Sequence, residues 1–402
     1  MSESNYVDLG KITTREAAIE FLEGYSFDRK ADLDANRTRT PLVKSYLLED
    51  PACASERDFP GIFRQAGHEI YRIDDTLYKV RDRGTKQYVG FVERLLPRHP
   101  VIYSHADARS MDAWVKRLVN SSPHLDHLWI SGHAFERLLD WNFEHKPLHR
   151  YGRLVFQHSS VFEAETPTEQ ASIESDVEEP EDSDDYVPER RTTRFTMVDR
   201  LSVLREKLPT MRDIYAPLHV IAQLRFPAAG SGGHDFYFNG KATNRSGSFG
   251  DHRAHVKFVL ETYRNAVNKT ETEAWRTEET AFNVTGAPVR LRFHDALAQE
   301  TFDTFIDATF RRKVNRFGLW GDPIRLGPAK VHVYALDRHM WQQLFLEITR
   351  EQILVLIPRG TCGNSIHRLV TNVQQYLDPA VEVRIGDQPY REFVNVPTGA
   401  TP

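Results

Sequence analysis

The densest group of side chains that could carry chemistry lies between Gly232 and Lys257. Imidazole and carboxylate groups serve both as metal ligands and as general acids or bases. The residue types offer a catalytic set of His234, Asp235 and His252, and a metal-binding set of His234, Asp251, His252 and His255. His252 and His255 are three residues apart and would share one face of a helix. No strict ligand spacing chooses between the two sets, so both stay open.

The same segment carries cations that could hold phosphates instead. Basic side chains contact the phosphates of nucleic acids, and aromatic rings stack on bases. The residues that could contact nucleic acid are Lys241, Arg245, Arg253 and Lys257, with Ser246 and Ser248 beside them and Tyr237 or Phe249 available for stacking. A polar surface hairpin without a ligand is the third interpretation of this segment.

A second candidate is the turn from Pro358 to Ser365, which follows a run typical of a buried strand. Its glycines allow a tight turn, and the N–H groups at the start of the next helix would attract an anion. The predicted anion-binding residues are Gly360, Thr361, Gly363, Asn364 and Ser365. The phosphate-loop and dinucleotide-binding patterns are absent, so an ordinary helix-capping turn is the alternative. A lowered pKa of Cys362 beside the helix start would make it a nucleophile.

A basic run, Arg311-Arg312-Lys313, closes a predicted helix. Cations are favourable near the C-terminal end of a helix dipole, which is one reason for their position. Contact with nucleic acid is the other, and we keep these three residues as candidates for it.

The composition is that of a globular protein, with 402 residues of which 40% are hydrophobic and 27% charged. Residues Met1 to Leu22 lack the pattern of a secretory signal, and no apolar run approaches the roughly 18–20 residues of a transmembrane helix. Cys53 and Cys362 are isolated, which excludes a disulfide framework. We therefore expect a cytoplasmic protein that needs no membrane and no cofactor.

Residues 161–190 divide the chain by charge. They hold twelve acidic residues and one basic residue, a net charge of −11, whereas residues 1–160 sum to zero and residues 191–402 to +6. Such a segment cannot bury enough apolar surface to offset the entropy cost of ordering. We expect an acidic disordered linker, or an acidic arm covering a basic face, between two lobes at 1–160 and 191–402.

Hydrophobic periodicity predicts an α/β fold for both lobes, with mixed α+β structure in the first. The elements expected in residues 1–160 are a helix from Thr13 to Gly24, an antiparallel meander over 69–104, helices at 111–118 and 134–142, and strands at 127–131 and 153–158. Those expected early in residues 191–402 are a helix near 197–208, a strand at 219–226, a hairpin around Asn239-Gly240 and a helix at 254–267.

The last hundred residues predict a parallel β-α-β-α-β unit that follows a strand at 288–293 and a helix at 302–310. Its expected elements are strands at 331–336, 353–357 and 381–385, with helices at 341–348 and 366–377 between them. The continuous apolar run from Ile353 to Ile357 is typical of a strand covered on both faces of a parallel sheet.

These observations favour a non-catalytic subunit of a cytoplasmic, prokaryotic assembly for genome defence or maintenance. The basic lobe at 191–402 would contact nucleic acid, and the lobe at 1–160 would contact a protein partner. The enzyme alternative is a metal-dependent hydrolase or phosphodiesterase that uses the His/Asp cluster at 234–255. A pure protein scaffold is the remaining alternative.

Overall fold

A computed structural model describes residues 9–35, 41–51, 59–162, 192–280, 283–310, 315–397, 399 and 402. These residues form two β-sheets and eight α-helices, a mixed α+β architecture. No helix among them is both long enough and apolar enough to cross a membrane. Cys53, Arg311, Arg312, Lys313 and nearly all of the acidic segment lie outside the described residues.

The first sheet contains eleven described strands. They are β1 (Lys44–Glu49), β2 (His68–Arg72), β3 (Leu77–Asp82), β4 (Tyr88–Leu96), β5 (His99–Ser104), β6 (Asp126–His127), β7 (Tyr151–Ser159), β8 (Thr192–Arg200), β9 (Ile221–Pro227), β10 (Gly233–Tyr237) and β11 (Lys241–Asn244). Their order is β2-β3-β4-β5-β1-β11-β10-β9-β7-β8, with β6 beside β1. The predicted meander and the Asn-Gly hairpin are both confirmed, since β2 to β5 pair in sequence and His234 pairs with Asn244.

The turn of that hairpin needs a glycine. Gly240 has a φ of +76°, and a Cβ atom there would lie 2.8 Å from the carbonyl oxygen of Leu47. Only glycine adopts this backbone conformation without strain while leaving room for the neighbouring strand. The hairpin can therefore lie flat against β1.

The second sheet contains nine described strands. They are β12 (Trp275–Thr280), β13 (Asn283–Thr285), β14 (Val289–Arg292), β15 (Leu319–Gly327), β16 (Lys330–Asp337), β17 (Gln343–Thr349), β18 (Gln352–Pro358), β19 (Glu382–Ile385) and β20 (Gln388–Pro389). The order is β15-β16-β17-β18-β14-β19-β20, and β12 lies beside both β13 and β18. Among the described strands of both sheets, β12 and β18 make the one parallel pairing, over two residue pairs.

Helices cover both faces of the first sheet and one face of the second. They are α1 (Arg15–Asp34), α2 (Phe59–Gln65), α3 (Ala108–Ser121), α4 (Gly132–His145), α5 (Leu201–Arg212), α6 (Phe249–Ala274), α7 (Gln299–Phe310) and α8 (Asn364–Tyr376). Helices α1, α4, α5 and α6 share a core with one face of the first sheet, and α2 and α3 with the other. Helices α7 and α8 share a core with the second sheet.

Helix α8 joins the two halves of the molecule. All thirteen of its residues are buried, although the helix includes Asn364, Arg368 and Gln374. Its apolar residues pack in the core of the second sheet, whereas Asn364 and Gln374 hydrogen-bond to residues of the first half. Buried polar groups need such partners, so α8 holds the two sheets in one relative position.

The predicted parallel β-α-β-α-β unit is wrong. Residues 341–348 were expected to form a helix, but Gln343–Thr349 is strand β17, antiparallel to both of its neighbours. Leu344, Leu346 and Ile348 point into the core with a period of two, and the residues between them face outward. In β18 only Ile353, Val355 and Ile357 are buried, so the apolar run does not mark a strand covered on both faces.

The boundary between the sheets also differs from the predicted lobe boundary. Strands β7 and β8 flank the acidic segment and pair with each other from Tyr151–Arg200 to Ser159–Thr192. Residues on both sides of the segment therefore belong to the first sheet, and the chain passes to the second sheet at the end of α6. Three helices differ from their predicted bounds by more than three residues. Helix α1 continues past Gly24 to Asp34, α5 begins at Leu201 because Met197 lies in β8, and α6 is longer at both ends than the predicted 254–267.

Candidate functional site

A groove of about 840 Å³ separates the first sheet from helices α7 and α8. The first sheet contributes Gln157, Gln223 and Tyr237, and helix α3 contributes its last two turns. The opposite wall consists of α7, α8 and the loops 315–318 and 338–341. This volume is within the range of ligand-binding clefts, roughly 300–1,000 Å³.

Cations outnumber acids among the described residues that line the groove. The six lysines and arginines are Lys116, Arg194, Lys241, Arg316, Arg338 and Arg368, and the two acids are Asp112 and Asp126. Lys241 is buried and pairs with Asp112 at 2.7 Å. Lys116, Arg194, Arg316 and Arg338 are exposed or half-buried, and we call these four the rim cations. The rim would attract an anionic ligand.

At the buried end of the groove the cation is paired within the protein. Arg368 hydrogen-bonds to both Asp126 and Asp337, and Asp126 also accepts from Asn364 at 2.8 Å. Although burial lowers the pKa of Arg368, the two carboxylates raise it above its ordinary value, so it stays charged. We call Asp126, Asp337, His339 and Arg368 the floor cluster. Asp126, His339 and Arg368 line the groove and Asp337 is fully buried beside Arg368, so the guanidinium at this end is already paired with carboxylates of the protein.

His339 lies on a tight turn between β16 and β17. The next two residues, Met340 and Trp341, have φ values of +62° and +53°, a left-handed conformation that is unfavourable for large side chains. Met340 donates its backbone N–H to the carbonyl oxygen of Pro123 at 2.7 Å, which ties the turn to the end of α3. His339 is 2% exposed, and neither ring nitrogen has a hydrogen-bond partner within the described part of the chain. Trp341 is 57% exposed and also lines the groove.

The hairpin and α6 bring together four of the five residues predicted for catalysis or metal binding. Ser45 Oγ lies 2.8 Å from His252 Nε2, His252 Nδ1 lies 3.3 Å from His234 Nδ1, and His234 Nε2 lies 3.1 Å from Asp251. One assignment of ring protons satisfies this whole chain, with Ser45, His252 and His234 each donating to the next group. We call Ser45, His234, Asp251, His252 and His255 the histidine cluster.

His255 completes the cluster. Its Nδ1 lies 2.9 Å from the carbonyl oxygen of Asp251, and its Nε2 lies 3.1 Å from the ammonium group of Lys146. Burial lowers the pKa of His234 and lowers that of His252 far below its ordinary value, so both imidazoles are neutral at pH 7. Burial alone would raise the pKa of Asp251, but hydrogen bonds from His234 and His255 hold it well below its ordinary range.

The arrangement also permits a metal ion. Ligand atoms of His234, Asp251 and His255 all lie within 4.8 Å of one another. The separations of 3.1 and 3.3 Å between imidazole nitrogens and the Asp251 oxygens are close to those between ligands of a tetrahedral zinc ion, roughly 3.3 Å for bonds near 2.0 Å. An ion would, however, replace hydrogen bonds that the protein already makes.

Asp235 does not join this cluster. It follows His234 on β10, and successive side chains of a strand point to opposite faces of the sheet. Asp235 instead pairs with Arg225 at 2.6 Å and with Arg245 at 2.7 Å. Burial raises the pKa of its carboxyl group, and the two arginines more than offset this and lower it to about 2.

The cations predicted to contact nucleic acid are spread over the molecule. Lys241 lines the groove, whereas Arg245 pairs with Asp235 and Arg253 pairs with Glu93 at 2.7 Å. Lys257 is exposed on α6 and lies 3.8 Å from Glu261. Arg311, Arg312 and Lys313 fall outside the described residues, between Phe310 at the end of α7 and Asn315 in the groove wall.

The predicted anion-binding turn already holds carboxylates of the protein. Gly363 donates its N–H to Glu271 at 2.8 Å, and the hydroxyl of Ser365 donates to Asp337. Asn364 contacts Asp126, while Gly360 and Thr361 accept hydrogen bonds from Gln342 and Trp275. Burial raises the pKa of Cys362 well above its ordinary value, and Glu49 adds to this effect, which disfavours a thiolate nucleophile.

Sequence reasoning missed the partners that decide what these residues do. Ser45 and Lys146 complete the histidine cluster from positions more than 100 residues away, and His339 and Arg368 define the groove floor. No spacing rule links such distant positions. One local signal in the sequence points to the groove floor: helix α8 has a clear apolar face, and the rest of its surface is polar and, apart from Arg368, uncharged.

Comparison with known proteins places part of this chain near one family. The sequence model of the family described as “MJECL33-like protein” matches residues 231–392. The chain is also 24% identical over 144 residues to the uncharacterized protein MJECL33 of Methanocaldococcus jannaschii, a match that covers 36% of this chain and 34% of that relative. The alignment thus spans about a third of the relative's length. No solved structure matches the chain.

Proposed function

We propose that this protein is a non-catalytic nucleic-acid-contacting protein and that the groove between its two halves is the contact site. The observation that carries the proposal is the lining of the groove, which combines four rim cations with the exposed indole of Trp341. Cations bind phosphates and aromatic rings stack on bases, which is the combination used by proteins that bind single strands. The larger assembly and the protein partner expected from the sequence stay predictions.

A single strand fits the groove better than a duplex does. The cavity of about 840 Å³ has the size of a small-ligand cleft, and its walls come from two packed layers rather than from an open surface. Bases would have to be unpaired to pass between these walls, since a paired base presents only its edge.

The test is binding of a fluorescently labelled single-stranded oligonucleotide, followed by anisotropy at several salt concentrations. Lys116 and Arg194 make no ion pair with other described residues, so Lys116→Ala/Arg194→Ala removes two phosphate contacts without breaking internal ones. We expect weaker binding and a salt slope shallower by about 0.7 per lost contact. The control is Arg72→Ala/Lys207→Ala, which removes two exposed cations that do not line the groove and that pair only with exposed acids, Asp75 and Glu206. Absence of binding by the unmodified protein at about 50 mM salt would overturn the proposal.

The metal-dependent hydrolase is the second candidate, favoured by the convergence of His234, Asp251 and His255. Two of these residues are nearly inaccessible, with exposed fractions of 0% and 2% for His234 and His255, so a substrate has no direct route to the cluster. Metal analysis of the purified protein decides the matter. Stoichiometric zinc or manganese that is lost in His255→Ala supports the hydrolase, and a metal-free protein that still binds nucleic acid rejects it.

A further inference from the structure

We infer that the floor of the groove is a subsite for one unstacked nucleobase of a single strand whose phosphates lie along the rim. This inference rests on the proposed function and adds to it the chemical group that enters the groove and its orientation. Three independent features carry it: an unsatisfied buried imidazole, a cationic rim above a floor whose guanidinium is already paired, and a strained turn that presents the imidazole.

The first feature is His339. Buried polar side chains nearly always have a hydrogen-bond partner, because the cost of losing water is otherwise not offset. His339 is 2% exposed and lines the groove, yet neither ring nitrogen has a partner among the described residues. A neutral imidazole offers one donor and one acceptor. The edge of a nucleobase presents the complementary pair of groups.

The second feature is the charge distribution. At the floor, Arg368 is already paired with both Asp126 and Asp337, so its guanidinium is not available to a phosphate. At the rim, Lys116, Arg194, Arg316 and Arg338 carry positive charge. An uncharged, hydrogen-bonding group is therefore favoured inside and an anionic backbone outside. A nucleotide combines both parts, an uncharged base and an anionic phosphate.

The third feature is the turn that presents His339. Met340 and Trp341 are both left-handed, and such strain persists only where the surrounding structure enforces it. The hydrogen bond from Met340 to Pro123 and those from Arg338 to Asn120, at 3.2 and 3.3 Å, fix the turn against α3. The result is that the indole of Trp341 stands exposed beside His339, where it can stack on the base that His339 contacts.

The decisive experiment compares a labelled oligonucleotide with an abasic backbone of the same length, by anisotropy with the full chain. The wild-type protein should bind the normal strand about tenfold more tightly than the abasic one, as expected for one stacked and hydrogen-bonded base. His339→Leu and Trp341→Ala should each remove most of this difference and leave binding of the abasic strand unchanged. His339→Gln, which keeps a donor and an acceptor, should retain part of it.

The matched controls are His332→Leu and Trp320→Ala. His332 lies on β16, the strand that precedes the turn, but its side chain faces outward and pairs with Glu347. Trp320 is exposed on β15 and does not line the groove. Both variants should discriminate between the strands as the wild type does. Thermal melting of every variant confirms that it is folded.

Three results would overturn the inference, and they distinguish its failure from that of the proposed function. If the wild-type protein binds normal and abasic strands equally, and the rim variant Lys116→Ala/Arg194→Ala still weakens both, the groove binds phosphates but no base. If the wild type binds neither strand, the proposed function fails together with the subsite. Unchanged discrimination in His339→Leu and Trp341→Ala would place the base elsewhere.

Discussion

The histidine cluster and the floor cluster both bury imidazoles next to carboxylates, but they differ in what the protein leaves open. In the histidine cluster every ring nitrogen has a partner, from Ser45 at one end to Asp251 and Lys146 at the other. In the floor cluster His339 has none among the described residues, although its carboxylate neighbours are paired with Arg368. Side chains that could do chemistry are thus of two kinds. Some already hydrogen-bond to other groups of the protein, and others face a cavity in which a ligand could bind.

The largest expected difference between the two clusters appears on acidification. The folded pKa values of His234 and His252 are lowered by burial, so the unfolded chain binds more protons than the folded one below the unfolded value of about 6.5. The contribution of these two histidines to the free energy of unfolding is therefore fully present above pH 6.5 and is lost as the pH falls below that value. Each histidine contributes about 1.4 kcal/mol per pH unit, so the free energy of unfolding should fall by up to about 3 kcal/mol per unit.

Urea denaturation at pH 7.5, 6.5 and 5.5 measures this slope. The variant His252→Leu should show about half of it, because one of the two groups no longer titrates. Constant stability from pH 7.5 to 5.5 would mean that the histidine cluster is already protonated or opens to water in the folded protein.

The second expected effect is the cost of removing His252 at neutral pH. Leucine keeps the volume but leaves Ser45 and the Nδ1 of His234 buried without a partner. Each unsatisfied group costs about 1–3 kcal/mol, so His252→Leu should lower the free energy of unfolding by about 2–6 kcal/mol. Denaturation of His252→Leu and wild type at pH 7.5 checks this. A loss below about 0.5 kcal/mol would show that the hydrogen-bond chain contributes little.

The smallest expected effect on stability is that of His339→Leu, and its sign distinguishes the two clusters. No hydrogen bond to another described residue is lost, and an unpartnered imidazole no longer has to be buried. We expect no change or a gain of up to about 1 kcal/mol, together with the loss of base discrimination described above. If His339→Leu instead unfolds as easily as His252→Leu, His339 has a structural role and the contrast between the clusters is wrong.

Local sequence patterns predicted a good part of the fold. The meander β2 to β5, the hairpin at Asn239-Gly240 and helices α3, α7 and α8 all follow from periodicity and turn chemistry over a few residues. The pattern failed at 343–349, where Leu344 and Ile348 suit a helix and a strand equally well. The outcome there depended on the neighbouring strands β16 and β18, which offered hydrogen bonds to the backbone on both sides.

The candidate site was predictable only in part. The residue types at 234–255 correctly indicated a group of side chains that would meet, because a hairpin and the following helix are close in sequence. The groove was not predictable, since its floor joins Asp126 to Arg368 across 242 positions, and the turn at His339 carries no recognisable motif. Of the predicted cations within the described part of the chain, Lys241 is the one that lines the groove, because its strand runs along the groove wall.

The sequence by itself determined which segments are strands or helices where the period was clear, and which side chains could in principle do chemistry. The tertiary structure alone decided which of these side chains are already satisfied. A hydrogen bond forms or fails according to distances of a few tenths of an ångström between residues far apart in the chain. For that reason three similar histidines, His234, His252 and His339, came to have opposite roles: two close an internal network and one faces the groove.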